Sequence, residues 1–168
     1  ADVVSFGVAP GMIVYQFLRL SYANEPDGIE VSIAWLFPAF LIPCAAAYRL
    51  ARFNLDDSQQ YGFKGVPAPA AGLLVASMPL IFWYSQNETA IQLLKNKWLW
   101  YGFALIVSWL MVSTLPLMAM KFTNFSVKSN MPKIILLLVA IIAAIFLQWI
   151  AVPLVFIMYI IVSLAFKK

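Results

Sequence analysis

The sequence has no histidine, one cysteine and few charged residues, and each shortage excludes a class of protein. Without histidine, the chain can build neither a Ser-His triad nor a histidine metal centre. A single cysteine, Cys44, excludes an intrachain disulfide and a zinc-cysteine cluster, and its place in an apolar run favours a role as a small hydrophobic side chain. Charged residues make up 11% of the chain, less than half the share in soluble domains.

Hydrophobic residues are abundant instead, and they make up 64% of the 168 residues. A chain this short cannot bury that much apolar surface in one globule, so we expect lipid to be its solvent. The net charge of +4 comes from basic residues between apolar runs, without interleaved aromatic patches, so we expect no nucleic-acid partner. The fold class predicted is all-α, a polytopic integral membrane helical bundle in one transmembrane domain.

Apolar runs of roughly 20 residues predict the transmembrane helices. The last apolar run, 134–166, is too long for one span of a ~30 Å hydrocarbon core, so we divide it near Gln148–Pro153. We predict six spans, about 3–23, 31–50, 67–85, 98–120, 134–148 and 150–166.

Basic residues predict the orientation of these spans. If Asp2 lies on the cytoplasmic side, eight of the 11 basic residues fall in or beside cytoplasmic loops, and three lie towards the other side. This bias requires an even number of spans, which supports the division of the last run.

One carboxylate and three cations fall at the predicted cytoplasmic face: Asp2, Arg49, Arg52 and Lys64. Taken singly, each has an ordinary structural interpretation, since Asp2 could cap a helix and the arginines could reach the headgroups along the membrane surface. Arg49 and Arg52 lie three residues apart and share a helix face, and a guanidinium suits phosphate. Together they indicate a site for a phosphate-bearing lipid.

Three sequence blocks resemble the CDP-alcohol phosphatidyltransferases, and within them the phosphatidylserine synthase branch. The first block, Asp2–Pro10, resembles the end of the family motif D-x-x-D-G-x-x-A-R…G-x-x-x-D-x-x-x-D. The others are Arg49–Asn54 and Phe63–Ala71, so the resemblance covers about residues 1–75. Only the last motif aspartate falls in this sequence, as Asp2, and the resemblance places the other aspartates, with two further helices of an eight-helix protein, before Ala1.

The resemblance implies transfer of a phosphatidyl group from CDP-diacylglycerol to the serine hydroxyl, with release of CMP. It implies that Asp2 is the general base and one ligand of a divalent metal, Mg²⁺ or Mn²⁺, whose other ligands precede Ala1. It also implies membrane lipid as a partner, a bacterial inner membrane as the location, and an active site facing the cytoplasm. The residues expected to bind substrate are Ser5, Arg49, Arg52, Asn54 and Lys64.

Several alternatives stay open at this point. A sister enzyme of the family would use glycerol phosphate or inositol as acceptor, whereas a transporter would place charges near mid-membrane and a scaffold would not gather them at one face. A homodimer is one assembly left open. With most motif aspartates outside residues 1–168, we expect this stretch alone to be inactive.

Overall fold

The computed structural model describes residues 1–24, 31–55, 63–117 and 127–165, and almost all of them are helical, which confirms the all-α class. The side chains of 63–64, 127–130 and 132 are outside this description. The elements, in chain order, are a π-helical turn (Val4–Val8) continuing into α1 (Ala9–Ala23), a 3-10 helix (Ile33–Phe40) continuing into α2 (Leu41–Leu55), β1 (Phe63–Lys64), α3 (Ala68–Tyr84), α4 (Glu88–Leu94), α5 (Lys97–Val112), β2 (Pro116–Leu117), α6 (Val127–Leu147), a 3-10 turn (Gln148–Ile150) and α7 (Ala151–Ala165).

The fourth predicted span differs most from the helix observed there. Its helix, α5, ends at Val112 rather than near 120, because Ser113 turns into extended backbone with ψ 160° and Pro116 follows. A proline disfavours helical backbone in the residue before it and cannot donate a backbone hydrogen bond. Two-residue strands then pair antiparallel, Phe63 opposite Leu117 and Lys64 opposite Pro116. The polar segment between the third and fourth spans contains the short helix α4, which the sequence analysis did not predict.

The long apolar run near the C-terminus is broken at Gln148, whose φ of 49° lies in the left-handed region. That backbone conformation cannot continue an α-helix, so α6 ends at Leu147 and α7 starts at Ala151, with three residues between them. The two helices then pack against each other, and α7 also packs on α3.

Among the described residues, two stretches are long and apolar enough to cross a membrane, Ile33–Leu55 with 23 residues and Lys133–Ala165 with 33. Helices α3 and α5 are apolar but shorter, at 17 and 16 residues, or about 25 Å each at ~1.5 Å per residue. The structure therefore does not confirm six spans. Large apolar side chains nevertheless cover the outside of the bundle, as at Trp83, Ile145 and Phe146, which are 77%, 70% and 80% exposed. A soluble monomer rarely exposes so much apolar surface, so a membrane environment fits the fold.

The core of the bundle lies between α1, α2, α3 and α5. Phe17 stacks on Trp100 with ring centroids 4.4 Å apart, and Phe82 meets the same ring of Phe17 edge-on at 5.7 Å. The Trp100 indole is fully buried and donates a 2.7 Å hydrogen bond to the carbonyl of Leu94. This interior fixes α1, α2 and α5 relative to one another, and the candidate site lies at one end of these three helices.

Candidate active site

Asp2 lies two residues before the π-helical turn. Pro10 explains that turn, because a proline ring clashes with the carbonyl four residues earlier in a regular α-helix. Here the helix widens one turn before the proline, and the Ala9 N–H donates to the Val4 carbonyl five residues back. The Asp2 and Ser5 side chains are both exposed. The Asp2 carboxylate is thus open to a ligand or to solvent at the start of the helix.

Gly7 and Gly11 bring this helix into backbone contact with α2. A Cβ at Gly7 would lie 2.9 Å from the Ala46 Cβ, and one at Gly11 would lie 2.8 Å from the Pro43 Cδ. The later glycine on the first helix meets the earlier residue on α2, so the two helices run antiparallel. One further turn places Asp2 at the same end of the pair as Arg49.

Arg49 is buried, with 7% of its surface exposed, although it carries a permanent charge. Its Nε is enclosed and has no hydrogen-bond partner among the described residues, which also place no carboxylate in an ion pair with it. The phenol of Tyr159, on α7, lies close enough to interact with the guanidinium electrostatically. A buried donor without a partner is costly, so the guanidinium is suited to receive an anion.

Arg52 has a different position from Arg49, although the two share a helix face. It is half-buried, and its Nη1 donates a 3.2 Å hydrogen bond to the Val112 carbonyl at the C-terminus of α5. The negative end of the helix dipole lies there, so the guanidinium both caps the helix and offsets a charge that would repel phosphate. At least one donor of Arg52 therefore has a structural role.

The segment around Gly65 docks on the same end of α5. The Gly65 N–H donates to the Leu115 carbonyl at 2.9 Å, and the Val66 N–H donates to the Leu110 carbonyl at 3.0 Å. Gly65 has a φ of +78°, and a Cβ there would lie 2.6 Å from the Ser113 carbonyl oxygen. Only glycine fits this turn without strain. The turn fixes the backbone of Lys64, the preceding residue, against β2.

The structure thus gathers the backbones of most predicted site residues at one end of the bundle. Asp2, Arg49 and Arg52 belong to the antiparallel pair, and Lys64 reaches the same end through its pairing with β2. Asn54 is exposed in the last turn of α2, and the Lys64 side chain lies outside the description. No distance joins Ser5 or Asn54 to the arginines, so their predicted substrate-binding roles stay predictions.

The described residues do not supply a complete set of metal ligands. Within the described ranges there is no group of three aspartates, glutamates, cysteines or histidines close enough to hold an ion. Asp2 could supply one oxygen ligand, but Mg²⁺ and Mn²⁺ need several. These residues do not form a metal centre by themselves, and the predicted metal stays a prediction.

Tyr159 is the residue that the sequence analysis missed. A signal was present, since helix α7 is apolar except for Tyr159 and Ser163, which lie four residues apart on one face. Both are buried, at 8% and 3% exposed. A polar pair on one face of an otherwise apolar helix indicates a polar neighbour, here Arg49.

The fold and this cluster define a class: an α-helical bundle with a lipid-compatible surface and, at one end, an exposed carboxylate near a buried arginine. Comparison with known proteins gives the family. The chain is 34% identical over 142 residues to CDP-diacylglycerol–serine O-phosphatidyltransferase of Helicobacter pylori strain J99, a match covering 83% of this chain and 52% of that protein. The chain thus spans about half the length of this relative.

Two further relatives agree. Archaetidylserine synthase of Methanothermobacter thermautotrophicus is 32% identical over 54% of this chain and 34% of its own length. CDP-diacylglycerol–serine O-phosphatidyltransferase of Bacillus subtilis strain 168 is 32% identical over 49% of this chain and 41% of its own length. No protein-family model and no solved structure matches the chain. The chain is a relative of the phosphatidylserine synthase branch of the CDP-alcohol phosphatidyltransferases, which confirms the resemblance of its first 75 residues.

Proposed function

We propose that the protein containing this chain transfers a phosphatidyl group from CDP-diacylglycerol to the hydroxyl of L-serine, producing phosphatidylserine and CMP. The observation that carries the proposal is the buried guanidinium of Arg49, whose Nε has no hydrogen-bond partner among the described residues, at the same end of the helix pair as Asp2. The donor carries a pyrophosphate and the acceptor a carboxylate, so each substrate brings an anion that a buried guanidinium can bind. The names of the relatives support serine as the acceptor.

In the proposed reaction, Asp2 takes the proton from the serine hydroxyl. The freed oxygen attacks the phosphorus that bears diacylglycerol, a new P–O bond forms, and the P–O bond to CMP breaks. The electron pair of that bond leaves with CMP. Asp2 is exposed, so a substrate can reach it, and general base catalysis of this kind typically contributes 10²–10⁴-fold to the rate.

The cations have separate tasks in this scheme. Arg49 holds a phosphate or the serine carboxylate in a place screened from water, where a charged hydrogen bond is strongest. Arg52 keeps the end of α5 capped and adds positive charge at the mouth of the site. Lys64, Ser5 and Asn54 are proposed to contact the substrates from the rim.

The proposal includes a requirement for Mg²⁺ or Mn²⁺, as the resemblance implies. A divalent ion would neutralise the pyrophosphate and polarise the phosphorus. The described residues offer it Asp2 alone, and no step above depends on it.

We also propose that the bundle spans a bacterial inner membrane six times with the Asp2 end facing the cytoplasm. The exposed apolar side chains and the excess of basic residues at that end support this placement. Helices α3 and α5 are short for a ~30 Å core, which a locally thinner bilayer accommodates at modest cost.

The test is whether the release of CMP depends on which acceptor is added. The full-length protein in detergent–lipid micelles is given CDP-diacylglycerol with Mn²⁺ or Mg²⁺, and CMP is measured with L-serine, glycerol 3-phosphate, inositol or no acceptor. We expect CMP and phosphatidylserine in equal amounts when L-serine is the acceptor, and no CMP release with the other acceptors. Release with inositol or glycerol phosphate would assign the chain to a sister enzyme. No release with any acceptor would contradict the enzymatic proposal and favour a transporter or scaffold.

A further inference from the structure

A groove of about 640 Å³ opens between the 3-10 helix and α5, at the end of the bundle opposite Asp2. Its location follows from α5, which begins at Lys97 and ends at Val112 beside Arg52, ~22 Å away at ~1.5 Å per residue. The residues that line the groove come from α1, the 3-10 helix, the start of α2 and α5: Tyr22, Ala34, Trp35, Pro38, Leu41, Lys97, Trp98, Tyr101 and Leu105.

Two tyrosine hydroxyls hold the walls of this groove together. The Tyr101 O–H donates a 2.9 Å hydrogen bond to the Trp35 carbonyl, and the Tyr101 oxygen lies 2.6 Å from the Tyr22 hydroxyl. These contacts join α5 to the 3-10 helix and to α1. The groove is therefore a fixed feature of the bundle.

The mouth of the groove combines one cation with exposed aromatic rings. Lys97 is the only charged side chain among the described residues that line it. Its Nζ lies 4.8 Å from the centroid of the Tyr22 ring, and an ammonium has three N–H donors, so it can contact a ring and other groups at once. Trp35 and Trp98 flank the mouth and are 61% and 72% exposed.

The two main walls of the groove run in the same direction along the bundle. At one end Tyr101 of α5 contacts the Trp35 carbonyl, and at the other end Arg52 of α2 contacts the Val112 carbonyl of α5. Later residues on either wall therefore lie further from the mouth and closer to the middle of the bundle.

Below the mouth the lining is apolar. Leu41 and Leu105 are 40% and 59% exposed, and Leu105 lies ~12 Å beyond Lys97 at ~1.5 Å per residue. A cation, then aromatic rings, then hydrocarbon is the order in which a phospholipid presents its phosphate, its interfacial region and its acyl chains. Tryptophans favour the level of the headgroups, and lysines near a membrane surface attract anionic lipids.

We propose that this groove binds one phospholipid with a net negative head group, its phosphate against the Lys97 ammonium and one acyl chain along Leu41 and Leu105. Charge complementarity selects this occupant, because the one charged lining residue is a cation. The site is separate from the substrate site, which lies at the Asp2 end. The inference rests on the proposed membrane setting of the bundle and not on its enzymatic activity.

The test measures binding of the first lipid to the full-length protein by native mass spectrometry, with phosphatidylglycerol and phosphatidylcholine of identical acyl chains. The wild type should bind phosphatidylglycerol more tightly. In Lys97→Gln the affinity for phosphatidylglycerol should fall about fivefold, the scale of one lysine at a membrane surface, and the affinity for phosphatidylcholine should change less. Equal binding of the two lipids by the wild type would overturn the inference.

Lys95→Gln is the matched control for charge. Lys95 is exposed at the same end of the bundle, two residues before Lys97, and does not line the groove. This variant should bind phosphatidylglycerol as the wild type does. Equal losses in the two lysine variants would show a general attraction of charge in place of a site, and would contradict the proposal.

A second pair of variants tests the apolar part of the groove. Leu105 and Ile106 are neighbours on α5 and are both 59% exposed, but of the two only Leu105 lines the groove. An indole in Leu105→Trp should fill the lower groove and weaken both lipids, whereas Ile106→Trp should bind them normally. Thermal unfolding checks that each variant is folded, and the lysine pair decides the question if Leu105→Trp is not. A wild-type dimer that dissociates in Leu105→Trp would assign the groove to a second copy and overturn the inference.

Kinetics separate this site from the substrate site. Lys97→Gln should keep the wild-type KM values for serine and for CDP-diacylglycerol, because the groove lies at the opposite end from Asp2. A raised KM for the CDP-lipid would place the substrate in the groove and contradict the proposal. If the wild type releases no CMP with any acceptor, the enzymatic proposal fails, while the lipid-binding measurements still decide this inference.

Discussion

Replacing Gly65 with alanine should destabilise the protein and displace the turn that follows Lys64. The backbone at Gly65 has a φ of +78°, which costs an L-residue with a side chain about 1–2 kcal/mol. The new Cβ would also lie 2.6, 2.8 and 2.9 Å from the carbonyl oxygens of Ser113, Met111 and Leu110. Real Cβ atoms do not approach backbone oxygens so closely, so the turn must move away from the end of α5.

That movement weakens two hydrogen bonds, Gly65 N–H to Leu115 and Val66 N–H to Leu110. Each is worth about 0.5–1.5 kcal/mol, so the total destabilisation should be about 2–4 kcal/mol. The assay is thermal unfolding of the full-length protein in detergent, with serine-dependent CMP release measured well below the melting temperature. We expect a lower melting temperature and a lower rate.

Gly102→Ala is the matched control, because a Cβ at this glycine of α5 would meet nothing within 4 Å. Alanine is the better helix former by roughly 0.5–1 kcal/mol, so this variant should be as stable as wild type or slightly more so. If Gly65→Ala were as stable as Gly102→Ala, the docking of this turn on α5 would be wrong.

Two further predictions concern the end of α5 and the orientation. Arg52→Gln removes the charged donor to the Val112 carbonyl at a helix C-terminus, so thermal stability should fall by about 1–2 kcal/mol, and unchanged stability would show that this contact is not maintained. The orientation is tested by labelling in a Cys44→Ala background with membrane-impermeant maleimide. A cysteine that replaces Leu55 should react only when the cytoplasmic side is open, and one that replaces Glu88 should react only from the other side. The reverse result would contradict the proposed topology.

The helices were largely predictable because hydropathy and proline positions determine them locally. The third predicted span begins at 67, and the N-cap of α3 at Pro67 agrees. The long apolar run before the C-terminus had to divide for reasons of length, and Gln148 provides the break. The predicted end of α5 was wrong although Pro116 gave a local signal for it, and the residues that satisfy its last carbonyls, Arg52 and Val66, come from other segments.

The sequence placed Asp2, Arg49, Arg52 and Lys64 at one face, and the structure brings their backbones to one end of the bundle, while their roles in substrate binding stay predictions. The spacing of Arg49 and Arg52 puts both on one face, and the sequence gives no reason to treat them differently. Their difference arises in the tertiary structure, since α5 ends beside Arg52 while Arg49 is buried. The two-residue strands lack any periodic pattern that could predict them, and their pairing depends on the turn at Gly65.

The most direct test of the account is Asp2→Asn in the full-length protein, because it separates a structural carboxylate from a catalytic one. Asparagine has nearly the shape of aspartate and the Asp2 side chain is exposed, so membrane insertion and melting temperature should be unchanged. Asparagine cannot accept the serine proton, and we predict that kcat for serine-dependent CMP release falls at least about a hundredfold. Full activity in this variant would contradict the assignment of the Asp2 end as the site of phosphatidyl transfer.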